Sequence, residues 1–220
     1  KINAGFANAD RVLTVDIDLE EGPEGIVANA LTLPGLPSVH LTVSGAGPLD
    51  AYLAEIELAT DGTSRLNGTF GTRLQPVLDD KAVEIGTSRV FGFDVLGDLA
   101  PLFAPEHQAF FGENVSVTAL ARHLQDGRTR LDQLLINTRS FQTTGEMTLA
   151  ANGLPEVMAF DVKIADPKGA RVLLPGTGAN SLADGHLNLR YDSANADRWA
   201  LRGRLNDLVG PDLKIASLTL

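Results

Sequence analysis

The chain has 220 residues, 44% hydrophobic and 21% charged, a globular balance that excludes a disordered tail. Lysine and arginine total 18 against 28 aspartate and glutamate, a net charge of −10, which argues against a groove for nucleic-acid backbone. Cysteine is absent, which removes disulfides, thiol chemistry and cysteine-based metal sites.

The chain begins Lys1-Ile2-Asn3 without a basic-then-apolar leader and stops at Leu218-Thr219-Leu220 inside an alternating pattern. The expectation is a fragment of a longer protein, with any membrane anchor outside it. A strand is predicted over Arg11–Leu19, where Leu13, Val15, Ile17 and Leu19 alternate with Val12, Thr14, Asp16 and Asp18, giving one dry and one mostly wet face. Gly22–Gly35, with Pro23 and Pro34, is the loosest segment. Alternation resumes at Val39, Leu41 and Val43. Pro48–Ala59 reads either as a strand or, through Leu49, Leu53 and Ile56, as a short helix. Asp61-Gly62 then predicts a tight hairpin joining Ile56/Leu58 to Leu66/Gly68/Phe70.

Phe91, Phe93, Val95, Gly97 and Leu99 form the next alternating set. After it, Pro101 and Pro105 open, and Gly112 closes, a segment that predicts a turn or two of helix near 105–111. Its Phe110 and Phe111 are expected to pack on an open end or edge of the sheet. Strands follow at Val115/Val117/Ala119/Ala121, Met158/Phe160/Val162/Ile164, Leu187/Leu189/Tyr191 and Trp199/Leu201/Gly203/Leu205. Asp126-Gly127, Asn152-Gly153, Asp166-Pro167-Lys168-Gly169 and Asp184-Gly185 are predicted turns. The result is an all-β antiparallel meander without an internal linker, one unit over residues 1–220.

Chemistry is sparse. His40, His107, His123 and His186 lack the short spacing of a metal pair. His40 and His186 lie opposite the apolar set, where surface exposure is expected. Asp16, Asp18, Glu20 and Glu21 lack the glycine and distal glutamate of a calcium loop. Asp79-Asp80 is a lone acidic pair with no cleft to divide acid and base roles. Ser44-Gly45-Ala46-Gly47 lacks the lysine-serine/threonine ending of a phosphate loop, and no Gly-x-Ser-x-Gly elbow occurs. No catalytic residue, metal site or cofactor is assigned. Trp199 shares parity with Leu201 and Leu205, so it is placed on the dry face with them.

Glycine recurs within strands, in Leu66-x-Gly68-x-Phe70, Val95-x-Gly97-x-Leu99, Thr143-x-Gly145-x-Met147 and Leu201-x-Gly203-x-Leu205. Such glycines mark bends or bulges, or leave room for a guest.

Two stretches carry a resemblance. One is Ser44-Gly45-Ala46-Gly47-Pro48-Leu49-x-x-Tyr52-x-Ala54-Glu55-Ile56-x-Leu58-Ala59-Thr60-Asp61-Gly62, followed by Arg65-Leu66-x-Gly68-Thr69. The other is Gly97-Asp98-Leu99-Ala100-Pro101-Leu102-Phe103-Ala104-Pro105-Glu106 with Ala109-Phe110-Phe111-Gly112. Both resemble the TamB family, of the AsmA-like lipid-transfer group. Leu131-Asp132-x-Leu134, Gly153-Leu154-Pro155, Asp166-Pro167-x-Gly169 and Val172-Leu173-Leu174-Pro175 fit the same family more loosely. The resemblance covers about half the chain.

It implies an elongated antiparallel β half-pipe, a U-folded sheet with an apolar interior. The protein would be anchored in the inner membrane of a Gram-negative bacterium and cross the periplasm. It would be a non-enzymatic conduit for phospholipid between membranes, assisting outer-membrane protein and autotransporter assembly with an outer-membrane barrel partner, TamA, and contacting nascent outer-membrane protein strands.

The residues suit such a conduit. The expected lipid lining is Leu13, Val15, Ile17, Ile56, Leu58, Leu66, Phe70, Phe91, Phe93, Val95, Leu99, Val115, Val117, Met147, Leu149, Phe160, Val162, Ile164, Leu187, Leu189, Trp199, Leu201 and Leu205. Gly68, Gly97, Ala119, Gly145 and Gly203 are expected to thin the wall and open the groove. The competing expectation is a closed β-sandwich, a structural or ligand-binding module with a filled core, since parity is the same for a core and a trough. A solenoid is disfavoured by the uneven spacing of the turn dipeptides.

Overall fold

The computed structural model describes residues 1–78, 81–82, 84–195 and 198–220; the Asp79-Asp80 pair lies outside them. Fifteen strands form one antiparallel sheet among the described residues. In chain order they are β1 Ile2–Ala7, β2 Val12–Glu21, β3 Val39–Pro48, β4 Leu53–Thr60, β5 Thr63–Leu78, β6 Glu84–Gly97, β7 Val115–His123, β8 Thr129–Asn137, β9 Phe141–Leu149 and β10 Pro155–Ala165. After these come β11 Val172–Leu173, β12 Ser181–Leu182, β13 Asp184–Asp192, β14 Arg198–Gly210 and β15 Leu213–Thr219. Each strand from β1 to β10 pairs with its sequence neighbour; β13 and β14 continue the sheet, and β15 pairs with β14. The fold is an all-β open half-pipe.

Local chemistry accounts for the elements. In the hairpin joining β4 to β5, Asp61 and Gly62 both have positive φ, 49° and 71°, the backbone of the turn that matches the strand twist. The Pro48–Ala59 ambiguity resolves as a turn and a strand: β3 ends at Pro48, residues 49–52 turn the chain, and β4 begins at Leu53, its alternating side chains paired with both neighbours. Helix α2, Pro105–Phe111, starts on its proline and stops at Gly112, whose φ of 69° ends it. A 3-10 turn, Ala100–Leu102, precedes it. Phe103 and Phe111 stack at 3.6 Å, and Phe110 reaches Phe141 of β9. The α2 carbonyls are met by the turn joining β8 to β9, where Arg139 and Ser140 donate backbone N–H to Phe111 and Phe110.

Two expectations need correction. The loose segment Gly22–Gly35 holds a second helix, α1 Ile26–Ala30, and some of the most buried side chains in the molecule. Ala28, Leu33 and Val39 form a dry cluster, flanked by Val27, Leu36, Leu58 and Leu102. Glu21 Oε2 accepts the Val27 N–H at 2.8 Å and so satisfies the start of that helix. Asp184-Gly185 is not a turn. It opens β13, and Gly185 is buried opposite Leu205. The chain turns earlier, within 166–183, and β12 has already returned it to the sheet.

Strand direction sorts the connections between two margins. Residues 22–38, 98–114 and 166–183 all leave from one margin, together with the 61–62 and 138–140 turns. The opposite margin carries only short links, such as 8–11, 49–52, 124–128 and 150–154.

Candidate functional site

Partners in an antiparallel ladder share a face, so the register traces each face across the whole sheet. One row runs Ala4–Val15–Gly45–Ala54–Phe70–Phe93–Ala119–Leu134–Gly145–Phe160–Leu189–Leu201. The next runs Ile17–Val43–Ile56–Gly68–Val95–Val117–Ile136–Thr143–Val162–Leu187–Gly203. Flanking rows add Leu58, Leu66, Gly97 and Val115 on one side, and Phe91, Met147, Tyr191 and Trp199 on the other. Leu13, Ile164 and Leu205 belong to the same face, Leu149 pairs with Thr129 at its border, and Leu99 lies just past the end of β6. The expected lining residues of the strands therefore stand together on one apolar surface.

That surface has members the parity reading passed over. Leu131, Leu134 and Ile136 of β8 lie on it, as does Ala54 of β4, and the alternating set Val39, Leu41 and Val43 of β3 joins the lining. The β8 residues escaped because the ladder shifts register between Leu131 and Leu134. A bulge inserts one residue and moves the apolar set from odd to even numbers.

The face is incompletely covered. Few of its side chains are buried; Phe93 is 36% exposed, Leu201 37% and Trp199 70%. Trp199 thus keeps the expected face but is wet, at the margin of short turns. The accessible surface totals 13114 Å², whereas a compact monomer of this mass exposes about 9,700 Å². A filled sandwich would sit near the smaller figure.

The glycines act differently from vacant slots. A Cβ on Gly145 would meet the Phe160 ring at 2.2 Å, and one on Gly68 would meet Val95 Cγ1 at 2.2 Å. On Gly203 it would meet the His186 carbonyl at 2.3 Å and Leu187 Cδ2 at 2.7 Å, and on Gly97 the Arg65 carbonyl oxygen at 1.9 Å. Room beside them is taken by cross-strand neighbours. Phe160 and Val95 lie down against the sheet there, which lowers the side-chain layer without leaving holes in it.

The opposite face is mostly polar, with Leu53 and Leu96 standing exposed among its charged residues. His40 pairs with Asp18 at 3.0 Å and His186 with Asp161 at 2.7 Å. The His186 contact, aided by Asn188, holds the Asp161 carboxyl below the usual carboxylate range. Asp132 bridges Arg122 and Arg130. A shallow hollow of about 360 Å³ lies between Asp132, Glu146, Asp161 and Arg190; it is open and polar, unsuited to an apolar guest. Among the described residues no group of three histidines or carboxylates could hold a metal ion, and no helix is long and apolar enough to cross a membrane. Ser44–Gly47 lies within β3, where an extended strand makes no phosphate cradle. No family model, curated protein or solved structure matches the chain.

Proposed function

We propose that this chain is a segment of a lipid conduit of the TamB type, in which phospholipid acyl chains lie against the apolar face of the half-pipe. The observation that carries the reading is the extent of that face. It runs through consecutive ladders from β1 to β14 without a break, and most of its side chains keep part of their surface open, with Phe93, Leu201 and Trp199 exposed. Two acyl chains carry roughly 30 methylenes, so exposing them to water costs about 25 kcal/mol at ~0.8 kcal/mol each. A path between membranes has to stay dry along its length, and an unbroken apolar ladder meets that need. Leucine, valine, isoleucine and phenylalanine hold tails without directional bonds, so a chain can slide.

On this reading the segment works in the periplasm, in a protein anchored in the inner membrane of a Gram-negative bacterium. Its outer-membrane partner would be the TamA barrel, with nascent outer-membrane protein or autotransporter strands as further clients. It is no enzyme and needs no cofactor. The closed sandwich is the weaker reading, because a filled core would bury Phe93 and Leu201 and reduce the accessible area by about a quarter.

The test is extraction of lipid from the purified chain, with native mass spectrometry and titration of a fluorescent fatty-acid probe. Co-purified phospholipid and saturable probe binding, lost in Leu134→Asp or Phe93→Asp variants that still fold, are expected. A lipid-free chain that binds no probe removes the proposal.

A further inference from the structure

The polar face is charged unevenly. Towards its N-terminal end Asp16, Asp18, Glu20, Glu55 and Glu57 point out from β2 and β4; towards its C-terminal end Arg198, Arg202 and Arg204 do so from β14. Lys1 engages Asp16, and His40 engages Asp18. Glu55 and Glu57 have only Ser44, Thr69, Thr42 and Asn67 as ladder partners. Arg202 stands opposite Asn188, and Arg204 opposite His186, whose Nε2 is occupied by Asp161. Among the described residues Glu55, Glu57, Arg202 and Arg204 carry no ion pair, and all four are exposed.

The two strips also match in spacing. Each is a pair two residues apart on a strand, so its charges project about 6.8 Å from each other on the same side. The ladders place both pairs at the same heights: Arg202 belongs to the unbroken row that contains Glu55 and Asp16, and Arg204 to the row of Glu57 and Asp18. Within one molecule seven strands separate the strips, so they cannot meet each other.

We infer that a second copy of this chain supplies the missing counter-charge, with Arg202 and Arg204 of one copy against Glu55 and Glu57 of another. Sign and spacing are complementary, and the contact leaves the apolar face free. The occupant is another copy rather than an anionic surface because the acidic strip repeats the spacing of the basic one and also lacks a partner. The net charge of −10 opposes any close approach, so the contact is weak and strongly dependent on salt.

Sedimentation velocity of the purified chain at roughly 20 mM and roughly 500 mM salt tests this. Self-association at low salt, weakened about tenfold or more at high salt, is expected; association through exposed apolar side chains would hold or strengthen in salt. Arg202→Glu with Arg204→Glu should be monomeric, and so should Glu55→Lys with Glu57→Lys. An equimolar mixture of the two variants should associate again, which also certifies that both are folded. The inference is overturned by a wild-type chain that stays monomeric at low salt, by charge reversals that leave association unchanged, or by a mixture that does not recover it. Binding to phosphatidylglycerol vesicles that needs Arg202 and Arg204, in a chain that does not self-associate, likewise overturns it and assigns the strip to a membrane surface.

Discussion

At one margin of the sheet the strands are joined by 22–38, 98–114 and 166–183, which fold back and bury Ala28, Leu33, Val39, Val172 and Leu182. At the other they are joined by short turns, and Phe6, Leu154 and Trp199 are left 50%, 63% and 70% exposed. Both margins belong to the same strands with the same alternation, so the difference comes from the connections. A sheet with one open face cannot complete a core by itself. The long connections supply much of the missing layer at one border, whereas at the other Tyr52 of the 49–52 link is the buried aromatic that covers β3 at Gly45. Phe6, Leu154 and Trp199 remain accessible at that border, which is what the proposed lipid-bearing role would require.

The largest effect expected from this contrast is on stability. Leu33→Ala removes a side chain from the α1 cluster and should cost about 2–4 kcal/mol, read from urea unfolding. Leu154→Ala at the opposite margin should cost within about 0.5 kcal/mol. Equal costs at both margins would mean that the connections do not anchor the sheet.

Where the sequence was legible, the reason was parity. Runs such as Leu13–Ile17, Phe91–Val95 and Leu187–Tyr191 lie on unbroken ladders, and every one fell on the face its pattern predicts. Parity failed where the backbone adds a residue. The β8 bulge split Leu131 from Leu134 and Ile136, and the result no longer reads as alternating. Glycine and proline were ambiguous for a different reason: they report what the backbone can do, not where the chain goes next. Gly22–Gly35 looked loose, yet its apolar residues Val27, Ala28 and Leu33 are what packs on Val39, and that contact depends on a strand beyond the segment. Asp184-Gly185 resembled a turn, but its glycine serves the close approach of Leu205, whose Cδ2 lies 2.7 Å from where a Cβ would stand. The same reasoning applies to Gly97, where a side chain would strike the Arg65 carbonyl. Gly97→Trp therefore perturbs the backbone before it could obstruct any guest.

A smaller effect should separate the margins by pH. Asp166 sits where the 166–183 connection leaves β10. Its Oδ1 accepts the Lys168 N–H at 2.8 Å, and its Oδ2 receives Arg139 Nη2 at 2.8 Å. The Lys168 amide, then that of Ala170 and the Arg139 guanidinium, outweigh partial burial and hold this carboxyl below its ordinary value of 3.8. A depressed carboxylate stabilises the fold above its unfolded pKa, and that contribution is lost as pH falls through the lower folded one. Wild type should exceed Asp166→Asn in urea midpoint at pH 7, and the gap should close as pH drops below about 3.8. Hydrogen exchange should place the loosening at the Lys168 and Ala170 amides and leave the 150–154 turn unchanged. A gap that persists at low pH would assign the role of Asp166 to shape and not to charge.

The smallest expected change in stability belongs to Trp199, and it is informative for that reason. It is the sole tryptophan, it lies on the apolar face opposite Tyr191, and nothing in the fold covers most of it. Trp199→Ala should leave the urea midpoint within about 0.5 kcal/mol of wild type. The native side chain should nevertheless fluoresce at long wavelength in the lipid-free protein and shift to the blue when short-chain phospholipid is added, because acyl chains would replace water around the indole. A blue-shifted emission before any lipid is added would mean that the half-pipe already closes over this margin. An unchanged emission in a chain that has bound lipid would place the acyl chains nearer the α1 and α2 border, so that the open margin would be an entrance and not the bed in which they lie.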